Sequence, residues 1–449
     1  MPSYLENHLN QYFADITEAL NGENPLLGND FVQMLKEQLP FLKDVSNRVI
    51  DISRKHHEGF IKSAYDVAYA LFDMLAPQFL SQFSWNQKDG WFYRIRPGDF
   101  RIKNPSESIG KKKELFHIKD DLRNFISGYR YSVSGFPCLY LSSGRELAWF
   151  ECGMPRKFSY CIMAISEGSE NALRLIDFSQ RPVELLSNIH VWLANASKNQ
   201  DKDEINRIYE YFVNYIITYP VAAACSLKVK SRGSKFIEEY VIPQLLMQWI
   251  RETDFFDGVR YKSSFYSNLV GGMGAINIAL SVERFREDGL CEKLTSRIEI
   301  SDIGYMDVDE EFKKYNEHLA KVERFRDALW SNVTSSDIQG EHLWRFIDLC
   351  ETVIKTYDAL INGSYQNTEL LFSYIDCLSD YIHSIRISKD TIVQKYLKSA
   401  EQERIDPKTV DTQPVIAQVE ELCTLLNSII RKHTVFDFQF ENLSNFEKI

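Results

Sequence analysis

The residues best placed to do chemistry lie in Gly128–Glu151, which reads GYRYSVSGFPCLYLSSGRELAWFE. A cation, Arg130, stands near its start and a carboxylate, Glu151, at its end. Between them Phe136, Cys138 and Tyr140 alternate with Pro137, Leu139 and Leu141, a short run apolar on both faces that predicts a buried strand. Ser142, Ser143 and Gly144 predict a turn. Arg145–Cys152 then has a helical mix of residues, with Leu147, Phe150 and Glu151 at helical offsets. A carboxylate leaving a buried strand that an arginine enters points to a pocket; the alternative is a solvated Arg/Glu pair, the commoner fate of any single such pair. Upstream, Arg94 and Arg96 share one face of the strand predicted at Trp91–Arg96, with Tyr93 and Ile95 on the other. Two arginines on one strand face are either an exposed sheet edge, the simpler reading, or an anion clamp.

The elements around these residues follow from composition and pattern. A chain of 449 residues is too long for one ordinary core, and 44% hydrophobic and 13% aromatic residues suffice for packed interiors. A net charge of -11, with no strongly basic region, argues against nucleic-acid binding through phosphates. Lys111–Lys113 is the one basic run of note and, followed by Glu114, Asp120 and Asp121, reads as a solvated loop. The eight cysteines are scattered without a Cys-x-x-Cys pair, which fits small hydrophobes in a reducing compartment. His56 and His57 are adjacent and no other histidine supplies ligand spacing, so no metal site is expected. The N-terminal residues lack a signal-type pattern. The most apolar stretch, Tyr211–Leu227, holds Asn214, Thr218 and Pro220 and is too short and polar to span a bilayer. A soluble, cytoplasmic protein is expected.

In chain order, residues 1–85 read as a helical region, with Asn29, Asp30 and Gln33 resembling a capping box, Pro40 an interruption, and Gly59 with the His pair a break. Residues 86–300 read as an α+β domain. Strands are expected at Tyr160–Ile165, at Leu173–Asp177, within Phe256–Ser263 after an Asp257-Gly258 turn and, last, at Ala275–Leu280; helices are expected at Asp203–Ile217 and Phe236–Arg251, the second with Pro243 in its first turn. The absence of a βαβ rhythm and of Gly-x-Gly-x-x-Gly argues against a doubly wound nucleotide fold. From about Asp302 to 449, three apolar stripes at three-four spacing (Leu343–Tyr357, Leu371–Ile385, Val415–Ile429) predict a helical bundle.

The middle of the chain, roughly residues 90–280, resembles the RES domain family. The resemblance rests on YRIR at Tyr93–Arg96, on the Gly128–Glu151 block, on EEYVIPQLLMQWI at Glu238–Ile250, and on FDGVRYKS followed by INIAL, all in the family's order. It implies an ADP-ribosyltransferase-like fold, with NAD bound in the cleft of a split, largely antiparallel or mixed sheet flanked by helical regions. It also implies an NAD-consuming toxin with a cognate antitoxin or regulatory protein, while the helical flanks leave room for a homo-oligomer. Carried over residue by residue, Arg94 matches the first arginine, Arg130 the second, Tyr140 the strand tyrosine, Glu151 the glutamate and Ser263 the serine. Arg96 and Ser264 are neighbouring alternatives to Arg94 and Ser263. Tyr131 and Ser132 follow Arg130 where the family commonly has an aromatic and Asn, a modest departure.

Those residue types suit the chemistry. Nicotinamide leaves NAD without a general acid, and a carboxylate such as Glu151 stabilises the oxocarbenium-like centre left behind. The planar guanidinium groups of Arg94 and Arg130 suit a diphosphate. Tyr140 offers a ring for stacking, or is plain core; Ser263 can hydrogen-bond the ribose or the amide, or is a turn hydroxyl. NAD enters as a substrate, with no prosthetic group. The expected activity is NAD glycohydrolase or phosphorylase; the alternatives are a protein mono-ADP-ribosyltransferase and a helical interaction protein with an inactive central domain.

Overall fold

The structure is a computed structural model that describes residues 2–21, 29–85, 90–103, 105–165, 172–180, 182–229, 234, 236–263, 275–308, 310, 443 and 446–449. The three apolar stripes expected beyond residue 343, and Ser264, lie outside the described residues.

The chain is α+β. Three helices open it: α1 (Pro2–Asn21), α2 (Asn29–His57) and α3 (Ile61–Trp85). Contrary to the expected interruption, α2 runs through Pro40. An interior proline costs a helix about 3 kcal/mol, but α2 buries Phe31 and Leu35 before it and Leu42, Val45, Val49 and Ile52 after it, and burial of this kind is worth about 1.5–3 kcal/mol per side chain. Packing wins. The break at Gly59, where φ is +86°, stands as expected.

Among the described residues eight strands follow: β1 (Gly90–Pro97), β2 (Cys138–Ser142), β3 (Lys157–Ile165), β4 (Leu175–Phe178), β5 (Gly258–Lys262), β6 (Ile276–Ser281), β7 (Ile298–Ile300) and β8 (Gly304–Asp307). They form one mixed sheet in the order β4-β5-β6-β2-β1-β3-β7, with β8 also on β3; β4 and β5 are parallel and the other pairs antiparallel. β7 and β8 follow the strand expected to be last, and β8 stands where helix was expected to resume. At three and four residues they are too short for alternation to reveal. β1 lies between β2 and β3, so the exposed-edge reading of Arg94 and Arg96 is overturned. β1 meets β2 at a single residue pair, Tyr93 with Ser142, while its other side pairs with β3 from Gly90 to Pro97. The sheet is therefore split between β1 and β2.

Among the described residues six more helices pack around it: α4 (Ser108–Leu115), α5 (Arg145–Glu151), α6 (Pro182–Lys198), α7 (Lys202–Cys225), α8 (Val241–Thr253) and α9 (Glu292–Thr295). Asp201 caps α7 by accepting from the Glu204 N–H at 2.9 Å, and the helix passes Ile217 and Pro220 to end at Cys225. Pro243 lies in the first turn of α8, where its missing N–H is harmless.

Two cores result. One joins α1–α3, α6, α7 and α8 to one face of the sheet through Phe72, Phe79, Phe178, Trp249, Phe256 and Val259, so the opening helices share an interior with the β domain. Trp249 donates its indole N–H to Asp73 at 2.7 Å. The other core, on the opposite face, holds Phe92, Leu139, Leu141, Cys161, Met163 and Ile278. Among the described residues five cysteines are free; burial pushes the Cys161 and Cys225 thiols up to about 12, leaving them inert hydrophobes. No described helix is long and apolar enough to cross a membrane.

Lys111–Lys113 is not a solvated loop. It belongs to α4, and Lys112 is 1% exposed, with its ammonium 3.3 Å from Asp302 and 2.8 Å from Glu447. Glu447 also exchanges two backbone hydrogen bonds with Ile300, which docks residues 446–449 against β7.

Candidate active site

The carboxylate is built first by local structure. β2 ends at Ser142, and the Ser143 N–H donates to the Ile276 carbonyl while its hydroxyl accepts from the Ile276 N–H, so the turn is stitched to β6. α5 begins after Gly144 and buries Leu147, Ala148, Trp149 and Phe150. It stops at Glu151 because Gly153 and Met154 adopt positive φ, +80° and +53°. Glu151 is thereby left on the solvent side of the helix end, yet its Oε1 is held. It accepts from the Ser263 hydroxyl at 2.5 Å and from the Asn277 amide at 2.6 Å.

Both donors are fixed by the sheet. Ser263 follows β5, is 3% exposed, and donates its backbone N–H to the Ala275 carbonyl. Asn277 on β6 is 2% exposed, and its Oδ1 accepts from the Ser142 hydroxyl at 2.7 Å. That bond orients the amide, leaving Nδ2 to face Glu151. Tyr261, Asn277, Ser142 and Tyr93 form one row of cross-strand neighbours over β5, β6, β2 and β1. Burial first, and then the nearby Glu151 charge, push the Tyr261 hydroxyl well above its ordinary pKa, so it stays a neutral phenol.

Arg94 occupies the split. Its Nη1 donates to the Tyr140 carbonyl at 3.1 Å across the gap between β1 and β2. Its Nε is sealed from solvent and has no hydrogen-bond partner among the described residues. Burial pushes its pKa below the ordinary value. A partly desolvated cation with no ion-pair partner among the described residues is a costly arrangement that a bound anion would relieve. Arg96 is occupied elsewhere, bonded to the Glu114 carbonyl at the end of α4 and lying 5.1 Å from the Phe100 ring. Of the two arginines, Arg94 is the one that bonds across the gap between β1 and β2.

Arg130 is committed to the scaffold. Its guanidinium donates to the carbonyls of Cys225 (2.9 Å) and Leu227 (3.1 Å from each Nη), just past α7, and lies 5.3 Å from the Tyr240 ring. Binding a diphosphate would require exchanging those bonds for phosphate contacts. Tyr140 is a wall residue: its hydroxyl accepts from the Tyr131 N–H at 3.1 Å and contacts the Ser132 hydroxyl at 3.2 Å. The structure therefore brings Glu151 and Ser263 together, places Arg94 in the adjoining split, and turns Arg130 and the Tyr140 hydroxyl to supporting the loop between them.

Sequence reasoning passed over Asn277 and Ser142. The available signal was an asparagine inside the apolar run AINIAL, where a buried polar side chain needs a partner.

No family model matches the chain, and no solved structure matches it. It is similar to a Bacillus subtilis (strain 168) protein named "Putative toxin YopC", with 28% identity over 207 residues. The similarity covers 45% of this chain and 45% of that protein, so the chain spans under half the length of the relative it matches.

Proposed function

We propose that this chain is a toxin that cleaves the nicotinamide–ribose bond of NAD. The observation that carries the reading is the occurrence, beside one split sheet, of a carboxylate held by two donors and of a half-buried arginine whose Nε has no hydrogen-bond partner among the described residues. The similarity to "Putative toxin YopC" supports the toxin part.

In this reading the diphosphate enters the split and accepts from Arg94, which replaces a costly buried charge by a charge-assisted hydrogen bond. The nicotinamide ribose lies against Glu151. As the C1′–N bond breaks, both bonding electrons move to the pyridinium nitrogen and release neutral nicotinamide. The positive charge left on the ribose is stabilised by the Glu151 carboxylate, whose position Ser263 and Asn277 fix before the reaction begins. Water then bonds to C1′ and gives up a proton, yielding ADP-ribose. Because the Glu151 residue is exposed at the end of α5, phosphate or a protein side chain is also a sterically reasonable acceptor.

The test is incubation of the purified chain with NAD, separating products by chromatography, beside Glu151→Ala. Nicotinamide release that disappears in the variant supports the reading. Free ADP-ribose identifies water as acceptor, its 1″-phosphate identifies phosphate, and label retained on protein identifies a transferase. A wild-type chain that neither releases nicotinamide nor binds NAD overturns the proposal in favour of an interaction protein.

A further inference from the structure

The turn Tyr129–Ser132 presents one residue that the reading above does not use. Tyr129 and Ser132 exchange two backbone hydrogen bonds, at 2.9 and 3.2 Å, and Gln244 of α8 donates to both of their carbonyls, at 2.9 and 3.1 Å. The two residues between them are anchored by their side chains. Arg130 grips the end of α7, and Tyr131 is fully buried with its ring 4.8 Å from that of Tyr261. On this rigid backbone Tyr129 is 53% exposed. Its ring stands edge-on to Tyr140, with centroids 6.1 Å apart and an interplanar angle of 64°. An exposed ring on a doubly pinned turn has little backbone freedom to lose on stacking with a ligand, so the platform is preorganised.

Its position in the site is set by β2. Ser142, at one end, touches the Asn277 that holds Glu151; Tyr140 lies two residues, about 7 Å, back along the strand. Cys138, two residues further, contacts the Tyr131 carbonyl, which puts the turn at the opposite end from Glu151. Arg94, bonded to the Tyr140 carbonyl, lies between the two ends. Along β2, therefore, the anchor of the carboxylate, the carbonyl that holds the arginine and the neighbour of the exposed ring's turn follow one another in order.

We propose that Tyr129 is the stacking platform for the adenine of the dinucleotide. This rests on the NAD reading and gives that site its direction: nicotinamide ribose at Glu151, diphosphate at Arg94, adenine on Tyr129. Tyr129 is then a binding residue that discriminates a dinucleotide from the nicotinamide mononucleotide half alone.

The experiment is titration calorimetry of NAD and of ADP against the full chain, its Tyr129→Ala variant and its Tyr129→Phe variant, with thermal unfolding as a folding control. Tyr129→Ala is expected to raise the Kd for NAD and for ADP by about 5- to 150-fold, the range for losing one base–aromatic stack. Tyr129→Phe, which keeps the ring, is expected to bind both as the wild type does. Unchanged NAD affinity in Tyr129→Ala overturns the proposal and leaves the NAD reading intact. So does weakening for NAD without weakening for ADP, which would place the ring against the nicotinamide half. A wild-type chain that binds no NAD ends both readings together.

Discussion

The Glu151 carboxylate and the Asn277 amide, 126 residues apart in the chain, meet at 2.6 Å, and the far side of that amide is held by Ser142. Asn277 therefore acts through Glu151. Losing a hydrogen bond to a charged group costs about 1.5–3 kcal/mol. Asn277→Ala is expected to lower kcat for nicotinamide release by about 10- to 150-fold with NAD affinity preserved. Ser142→Ala, one step removed, is expected to cost about 3- to 10-fold. Asn277→Asp would set a second carboxylate against the first, so the pair would share a proton and the pH–rate profile would shift upward. Steady-state kinetics with parallel NAD titrations read all three; a loss confined to affinity would contradict the positioning role.

Arg94 trades stability for binding. Replacing a desolvated cation by an apolar chain of similar length is often neutral or favourable. Arg94→Met is expected to leave the unfolding free energy unchanged or raise it by about 1 kcal/mol, while NAD binding disappears. Arg94→Lys is expected to restore little, because an ammonium lacks the planar fork. Urea unfolding and calorimetry on the same preparations check both halves of the prediction.

His117 gives the fold a pH limit. Its Nε2 accepts from the Cys291 N–H at 2.8 Å, so Nδ1 carries the proton that bonds to the Ile118 carbonyl. Burial, with a smaller contribution from the Arg94 charge, pushes its pKa down to about 4. The folded state thus favours neutral imidazole relative to an unfolded value near 6.5. The stability this contributes is fully present above about pH 6.5 and is lost as pH falls towards 4, up to about 3 kcal/mol. His117→Gln keeps an acceptor for Cys291 and is expected to flatten the pH dependence of the urea midpoint in that window. A wild-type midpoint equally insensitive to pH would show that His117 is not the group responsible.

Lys112 depends on the end of the chain. Its ammonium is 1% exposed and faces Asp302 and Glu447, both of which are partly solvated. Removing the carboxylates is therefore worse than removing the lysine, because stripping a buried cation of ion-pair partners costs up to about 3–5 kcal/mol. The double variant Asp302→Ala/Glu447→Ala is expected to lose stability on that order, whereas Lys112→Met is expected to be near neutral. Denaturant midpoints of the two variants decide the ranking.

Much of this was legible in residue order. The resemblance to the RES family singled out Arg94, Glu151 and Ser263, the last two of which meet, while apolar and alternating runs located β1 to β6 and the Ser-Ser-Gly turn located α5. These features are local: a period-two apolar run or a helix stop is encoded by neighbours along the chain. Tertiary packing decided the rest. It carried α2 through Pro40, buried Lys112 against carboxylates about 190 and 335 residues away in the sequence, and placed β1 inside the sheet, which turned Arg94 from a candidate edge residue into a desolvated cation. It also joined Asn277 to Glu151 and turned Arg130 onto the end of α7. Which polar group a buried side chain meets is set by strand order and register, and those depend on contacts between distant segments that no local pattern encodes.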